Sequence, residues 1–286
     1  MDKLEFHRMI KDAEQKLRDV GIDAAATEVE IILEYLLEVE RIAIYLHGWK
    51  LIDTAALKKF HKIIEKRATR YPLQYILGEA YFYGRRFLVN PDVMIPTPET
   101  ETLCELAINY INNEKIEAPQ ILDLCTGSGV IAVTIASELP DTWVTASDIS
   151  QAALAMARKN AAMNGVESII RFIKSDMFDS IRSDERFDLI LSNPPYIRDD
   201  EYDTLQPEVL VDPKIALVAG VEGLDLIKKL LDTAPAYLNP NGRIMFEMSY
   251  DQTDKIIRLT ENDKRYRSFT IIKDLNDIDR VVILSV

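Results

Sequence analysis

The sequence predicts an α/β protein in two parts: a small helical bundle at the N-terminus and, after a linker, a mainly parallel β-sheet with helices on both faces. Three observations predict this. Apolar residues first recur at helical spacing, then prolines and glycines interrupt the chain, and finally short apolar strands alternate with helices. We therefore expect a helical domain over 1–72, a linker over 73–98 and a sheet domain over 99–286.

Composition narrows the class of protein. The chain has 286 residues, 48% of them hydrophobic, and a formal net charge of −13, which is typical of a globular protein with a sizeable core. No apolar run approaches the ~18 residues that cross a bilayer, and the start, Met1 to Glu5, has no targeting pattern. We expect a cytoplasmic monomer without membrane contact, and the acidic balance argues against stable nucleic-acid binding.

The N-terminal part is predicted to contain three helices. Apolar side chains recur at helical spacing in three stretches, residues 4–17, 23–36 and 53–70. Short links between helices of this length favour a small bundle. The third helix carries a basic stretch over 57–70, which is either an ordinary solvated face or a docking patch for an acidic or RNA-associated partner.

The linker contains a predicted β-hairpin. Two short aromatic and apolar runs, 81–83 and 86–89, flank Gly84-Arg85, which suits a tight turn. From residue 99 the alternation begins. We expect helices over 99–112, 128–139, 151–164, 224–238 (broken near Pro235) and 253–261. We expect strands over 121–124, 143–147, 169–173, 187–191, 243–248, 267–273 and 280–286.

A glycine-rich turn follows the first strand of the sheet. The run from Leu122 to Ala132 passes from strand to helix, and Asp148 follows Gly127 by 21 residues. Glycine lets a ligand approach the backbone, a helix start offers free N–H groups, and an acid at this distance suits ribose hydroxyls. The turn therefore predicts a nucleotide-type cofactor site, with an ordinary strand-to-helix turn as the alternative. Its predicted members are Cys125, Thr126, Gly127, Ser128 and Gly129.

Two further acids favour S-adenosylmethionine over NAD. Asp123 lies within the turn, where a carboxylate repels a pyrophosphate but can attract the ammonium of methionine or order water. Asp176 follows the third strand, where it can accept a hydrogen bond from an adenine amino group, with Met177 against the ring. The alternative for Asp176 is a helix cap.

The strand at 187–191 ends in a second motif, Asn193-Pro194-Pro195-Tyr196. Ligands bind outside the carboxyl ends of such strands. The two prolines stiffen the chain and remove N–H donors, so the Asn193 side-chain oxygen and the Pro194 carbonyl can accept both protons of one planar NH₂ group. Tyr196 offers a ring face for that group. A proline-rich turn without chemistry is the alternative.

This arrangement suits methyl transfer to a poorly nucleophilic nitrogen. The lone pair of an amide or aromatic amine is delocalised, so catalysis consists of fixing the nitrogen in line with the methyl sulfonium and polarising its N–H bonds. No strong general base is needed before attack. His7, His47 and His61 all lie outside the predicted sheet domain, and we expect no metal.

Together, the glycine turn, Asp148, Ser175-Asp176 and the Asn-Pro-Pro-Tyr motif resemble a class I S-adenosylmethionine-dependent amino-methyltransferase. Three further segments narrow the resemblance: 72–78, 95–101 and the Gly220-x-x-Gly223-Leu224-Asp225 run. In this order they are similar to the HemK/PrmC family of peptide chain release factor glutamine methyltransferases, over nearly the whole chain.

The resemblance implies N5 methylation of the glutamine in the Gly-Gly-Gln loop of release factors. It implies that the glycine turn, Asp148 and Met177 contact the cofactor, that the Asn193–Tyr196 motif holds the glutamine, and that the N-terminal bundle helps to dock the release factor. The chain departs from the family's usual residues at five places: Thr97 (usually Arg), Cys125 (usually Gly), Met177 (usually aromatic), Ser249 (a Gly is usual nearby) and Asp277 or a neighbour (usually Gly).

Other functions stay open at this point. Adenine-N6 methylation of RNA or DNA shares the Asn-Pro-Pro-Tyr motif, but it needs base flipping and a basic channel, which an acidic sheet domain fits poorly. A diverged protein-glutamine methyltransferase with another substrate is also possible. The intact Asn193–Tyr196 motif argues against a catalytically silent cofactor-binding module, and Asp123 argues against a nicotinamide dehydrogenase.

Overall fold

The computed structural model describes residues 1–274 and 276–286, which form two compact units. Unit 1 comprises Met1–Gly78 together with Gln206–Val211, and unit 2 comprises Glu79–Leu205 and Asp212–Val286. In the described part of the chain, no helix combines the length and apolarity needed to cross a membrane.

Unit 1 is helical. Its helices are α1 (Lys3–Asp19), α2 (Ala25–Leu37), α3 (Arg41–Leu51), α4 (Thr54–Arg67) and the short α5 (Leu73–Leu77). Asp2 and Glu5 form a capping box at the start of α1, and the Asp53 side chain caps α4. Fully buried side chains from all four longer helices form its core, including Phe6, Leu17, Ile32, Ile44 and Phe60.

The prediction of only three helices in this region is wrong, because α3 was interpreted as a link. Only Ile44 and Gly48 of α3 are buried, while Ile42, Tyr45 and Leu46 are exposed. Apolar residues therefore occur on both faces of this helix, and the one-sided spacing that identifies an amphipathic helix is missing.

A buried charge network occupies unit 1. The Arg67 guanidinium donates to Glu28 Oε2 at 2.6 Å and to Glu208 Oε1 at 2.8 Å, and Arg70 Nε donates to the same Glu208 oxygen at 2.6 Å. Arg67 is only 5% exposed. The predicted basic stretch over 57–70 therefore has two parts. Its two arginines are paired within unit 1, and its exposed cations are Lys58, Lys59, Lys62 and Lys66.

Unit 2 begins with the predicted hairpin. Strands β1 (Glu79–Phe82) and β2 (Arg85–Leu88) pair in an antiparallel manner, with Phe82 opposite Arg85. The turn therefore consists of Tyr83 and Gly84, one residue earlier than expected. Both have positive φ, 50° and 69°, as a two-residue type I′ hairpin turn requires.

The rest of unit 2 is a seven-stranded sheet in the order β5-β4-β3-β6-β7-β9-β8. Its strands are β3 (Gln120–Leu124), β4 (Trp143–Asp148), β5 (Ile170–Lys174), β6 (Phe187–Ser192), β7 (Leu238–Glu247), β8 (Ser268–Lys273) and β9 (Asp279–Ser285). Strands β3 to β7 pair in parallel, and β9 runs antiparallel to both of its neighbours. The predicted fold class, a mainly parallel Rossmann-like sheet, is confirmed.

Helices cover both faces of this sheet. Apolar clusters on the two faces involve α6 (Glu99–Glu114), α7 (Val130–Glu138) and α8 (Gln151–Met163) on one side, and α9 (Asp225–Thr233) and α10 (Thr253–Thr260) on the other. Strand β3 contributes to both clusters, Ile121 to the first and Leu122 to the second, which explains its continuous apolar run.

The order of the strands creates a switch point. From β3 the chain continues to β4 on one side, whereas β6 pairs with β3 on the other. Ligands of open α/β sheets bind outside the carboxyl ends of strands at such a point. The residues that follow β3, β4, β5 and β6 therefore meet at one edge of the sheet.

We expect Arg67→Ala to destabilise the protein by about 3–5 kcal/mol, because the change leaves Glu28 as a partly buried, unpaired carboxylate and removes one of the two arginine partners of Glu208. Chemical denaturation at neutral pH measures this loss. The control is Arg182→Ala, which breaks the exposed pair with Asp184 and should cost about 1 kcal/mol or less. Equal losses in the two variants would contradict a structural role for the Arg67 network.

Candidate active site

A cavity of about 270 Å³ opens at the switch point of unit 2. Its walls include nine of the site residues predicted from sequence: Cys125, Thr126, Gly127, Ser128, Asp148, Asp176, Met177, Asn193 and Pro195. Four other predicted residues, Asp123, Gly129, Pro194 and Tyr196, do not line it. The structure thus brings the glycine turn, the two acids after β4 and β5, and the motif after β6 to one place.

Asp148 is fixed by the backbone of the glycine turn. Its Oδ2 accepts a hydrogen bond from the Gly127 N–H at 2.9 Å, and its Oδ1 accepts one from the Ser150 N–H at 2.8 Å. Burial raises the pKa of this carboxyl, although the backbone donors oppose the shift. Each carboxylate oxygen has a further lone pair, so the group can still accept from a ligand's hydroxyl groups.

Asp123 lies behind the turn and is fully buried. Its Oδ2 accepts from Thr126 Oγ1 at 2.6 Å and from the Ala132 N–H at 3.1 Å. Its Oδ1 has no partner among the described residues. Burial raises the pKa of Asp123 to about 7. A buried carboxylate oxygen without a donor is costly, so this atom marks a position that a water or a ligand donor can satisfy.

Gly129 has a packing role. Its φ is +83°, and a Cβ at this position would lie 2.9 Å from the Ala157 Cβ of α8. A glycine here therefore permits the left-handed start of α7 and the close approach of α7 to α8. Gly129 does not line the cavity, and its predicted contact with the cofactor stays a prediction.

The acids dominate the charge of the cavity. The charged residues in its wall are Asp92, Asp148, Asp176 and Lys229. Lys229 Nζ donates to Asp176 Oδ2 at 2.9 Å, so this cation is neutralised by a neighbour in the wall. The remaining charge is negative, which favours a cationic ligand and disfavours a pyrophosphate.

Two sulfur-containing side chains form part of the apolar wall. Cys125 Sγ lies 3.7 Å from Met177 Sδ, and the two residues have φ values of 59° and 49°. This is the left-handed region that favours glycine, which agrees with the glycine expected at position 125 from the family resemblance. Burial raises the pKa of the Cys125 thiol, so it stays protonated and behaves as an apolar group.

The Asn193 side chain is held by one hydrogen bond. Its Nδ2 donates to Thr100 Oγ1 at 3.0 Å, and Thr100 Oγ1 lies 2.5 Å from Glu247 Oε2. Asn193 Oδ1 accepts no hydrogen bond from the part of the chain that the structure describes. An acceptor oxygen is therefore available on a residue that lines the cavity. Thr100 and Glu247 were missed, although Thr100 lies in the 95–101 segment that carries the family resemblance.

The backbone of the Asn193–Tyr196 motif is held from the other side by Gln252. Its Nε2 donates to the Tyr196 carbonyl at 3.0 Å and to the Gly223 carbonyl at 2.9 Å. A Cβ on Gly223 would lie 2.3 Å from the Tyr196 oxygen, so only glycine fits there. The ring of Tyr196 packs against an apolar cluster on one face of the sheet. Sequence reasoning missed Gln252, and no local pattern identifies it.

Comparison with known families agrees with this geometry. A model of the methyltransferase small domain matches residues 103–220, and a model of the PrmC N-terminal domain matches residues 8–78. The solved hMettl16 catalytic domain has a similar fold, with a TM-score of 0.54 at 13% identity, covering 76% of this chain and 90% of that one. The fold and the cavity define a class I methyltransferase.

Curated relatives specify the family. The release factor glutamine methyltransferase of Geobacter sulfurreducens is 36% identical over 93% of this chain and 91% of its own length. Its namesake from Cereibacter sphaeroides is 39% identical, covering 96% of this chain and 95% of that protein. This chain belongs to the release factor glutamine methyltransferase family, as the sequence resemblance predicts.

The raised pKa of Asp123 predicts a pH-dependent stability. Between about pH 4 and 7 the folded chain holds a proton on Asp123 that the unfolded chain has lost. This difference lowers the free energy of unfolding by about 1.4 kcal/mol for each unit by which the pH rises. Asp123→Asn should make the slope less negative by that amount, as measured by urea denaturation at pH 5, 6 and 7.

Asp184→Asn is the control for this slope. Its partner Arg182 lowers the pKa of Asp184 below the usual value of 3.8, so this carboxyl is ionised in both states above pH 5 and its removal should leave the slope unchanged. An unchanged slope in Asp123→Asn would show that the buried carboxyl stays ionised throughout this range.

Proposed function

We propose that this protein transfers a methyl group from S-adenosylmethionine to the side-chain nitrogen (N5) of the glutamine in the Gly-Gly-Gln loop of a peptide chain release factor. The observation that supports this most directly is Asn193, whose amide is tethered through Nδ2 while Oδ1 remains available in the cavity wall. The release factor as substrate rests on membership of the family and on the names of the relatives.

The residues present fit S-adenosylmethionine. The excess negative charge of the wall suits a ligand that carries a sulfonium and an ammonium. When ionised, Asp123 with its orphaned Oδ1 lies behind the turn and adds to the negative potential that attracts that ammonium. Asp148 would hold the ribose hydroxyls, and Asp176 and Met177 would hold the adenine. When bound, this cofactor supplies a methyl group on a positively charged sulfur.

The chain's own part in the reaction is to present a planar NH₂ group. Asn193 Oδ1 and the Pro194 carbonyl would each accept one of its protons, which fixes the plane of the amide and increases electron density on the nitrogen. Neither oxygen is a strong base, so the proton leaves after the N–C bond has formed. Positioning therefore provides most of the rate enhancement.

Other features of the sequence prediction remain predictions here. They are a monomeric state, a cytoplasmic location, the absence of stable nucleic-acid binding, and a docking role for the N-terminal helices. Unit 1 offers four exposed lysines on α4, Lys58, Lys59, Lys62 and Lys66, for such docking. Adenine methylation is the less favoured function, because the cavity wall holds no unpaired cation among the described residues.

Cofactor binding is tested through Asp148. We expect calorimetry to show binding of S-adenosylmethionine and no binding of NAD. Asp148→Ala should weaken the affinity for S-adenosylmethionine about tenfold or more, because hydrogen bonds to a charged group contribute about 1.5–3 kcal/mol. Asp141→Ala, an exposed acid outside the cavity, is the control and should bind normally. Tight NAD binding would overturn the assignment of the cofactor.

Catalysis is tested through Asn193. With purified release factor as substrate, Asn193→Ala should lower kcat by about 10²–10³-fold while the affinity for S-adenosylmethionine changes little. Mass spectrometry of the Gly-Gly-Gln peptide locates the added methyl group. Asn262→Ala, an exposed asparagine outside the cavity, is the matched control. Wild-type turnover in Asn193→Ala, or label appearing in nucleic acid instead of protein, would refute the proposed function.

A further inference from the structure

Three side chains from distant parts of unit 2 form a hydrogen-bonded row that begins in the cavity wall, where Asn193 and Thr100 lie, and ends at the buried Glu247. Thr100 in the first turn of α6 lies between Asn193, after β6, and Glu247, the last residue of β7. Thr100 is 2% exposed and Glu247 is 1% exposed. Because bulk water does not reach Thr100 and Glu247, the donors and acceptors within the row determine the direction of each hydrogen bond.

The direction follows from the chemistry of the row. An ionised carboxylate only accepts, so the single hydroxyl proton of Thr100 points to Glu247 Oε2 at 2.5 Å. Thr100 Oγ1 then has only lone pairs to offer to Asn193. The Asn193 amide must therefore present its NH₂ group to Thr100, at 3.0 Å, and not its oxygen.

The direction of the row also determines the role of Thr97. Its Oγ1 lies 3.4 Å from Thr100 Oγ1. Because the Thr100 proton is directed to Glu247, the contact between the two hydroxyls has Thr97 as donor.

We propose that Thr100 and Glu247 are positioning residues that set the orientation of the Asn193 amide, so that Oδ1 is turned toward the substrate. This proposal rests on the proposed function. It adds to that function a role for the row in substrate selection. With its Oδ1 turned toward the substrate, the Asn193 amide accepts a hydrogen bond from the NH₂ group of glutamine and repels the carboxylate of glutamate.

The orientation should depend on the charge of Glu247. Burial raises the pKa of Glu247 to about 7, while the hydrogen bond from Thr100 and the charge of Arg280 act in the opposite direction and Glu99 adds to the shift. Tyr196 and Cys104 also face this carboxylate, and burial raises the pKa of both. Below the pKa, Glu247 carries a proton that it can donate to Thr100, and the constraint on the Thr100 hydroxyl is lost.

The first test measures kcat at saturating S-adenosylmethionine and release factor between pH 5.5 and 8.5. We expect the wild type to lose activity as the pH falls through about 7. Thr100→Val, which removes the hydroxyl at nearly constant volume, should lower kcat about 10²-fold and abolish this pH limb, and Thr100→Ser should recover both. Glu247→Gln and the double variant Thr100→Val/Glu247→Gln should also lack the limb, and they leave no buried unpaired charge.

Thr134→Val is the matched control. Thr134 is a fully buried threonine of α7 whose Oγ1 has no partner among the described residues, so losing its hydroxyl should leave kcat and the pH profile unchanged. Wild-type kcat in Thr100→Val, or a pH limb that persists in Glu247→Gln, would overturn the proposal. A loss in Thr134→Val equal to that in Thr100→Val would do the same.

A second measurement does not depend on turnover. In protein labelled with ¹⁵N at asparagine, the Asn193 side-chain NH₂ resonance, identified by its absence in Asn193→Ala, should shift with pH around the pKa of Glu247 and stop shifting in Thr100→Val and Glu247→Gln. If the Asn193 NH₂ resonance of the wild type does not shift with pH, the positioning role of Thr100 and Glu247 is refuted. If the wild type instead shows the shift but methylates no release factor, the proposed function fails and the positioning of Asn193 stands.

Discussion

The parallel pairing of β3 with β6 is the constraint on which the site depends. Leu124 lies opposite Ser192 in this register, and Ser192 Oγ donates to the Leu124 carbonyl at 2.9 Å. The glycine turn and the Asn193–Tyr196 motif begin at the next residue of each strand, so they emerge side by side. A shift of one residue between these strands would turn every side chain to the other face of the sheet and would separate the two halves of the cavity.

Burying carboxyl groups at this edge of the sheet is energetically unfavourable, and two such groups lie at the site. Asp123 and Glu247 are both almost inaccessible to water, and burial raises the pKa of each to about 7. Each group accepts a hydrogen bond that orients part of the site. Asp123 accepts from the Thr126 hydroxyl in the glycine turn, and Glu247 accepts from the Thr100 hydroxyl. Departures from a purely apolar core are expected where function requires them.

The sequence predicts the parts of the site that depend on local pattern. Strand-to-helix alternation identifies the sheet, and the rule that ligands bind at strand ends selects Asp148, Asp176 and Asn193. The missed elements have no local pattern. Helix α3 is apolar on both faces, and the hydrogen bond from Thr100 to Glu247 joins residues 147 positions apart. Gly129 illustrates a third limit, because its close contact with Ala157 joins two helices and has no local signature in the sequence.

The Thr100 row also changes how the segment before α6 should be understood. Residues 73–98 are predicted from the sequence to be a linker, because prolines interrupt the chain there. In the structure, Thr97 contacts Thr100, and Met94 and Pro96 line the cavity. Two oxygen acceptors after β6 can hold any planar NH₂ group, so they do not by themselves select an amide over an aromatic amine. The walls that limit what reaches them decide this, and the segment before α6 supplies one of those walls.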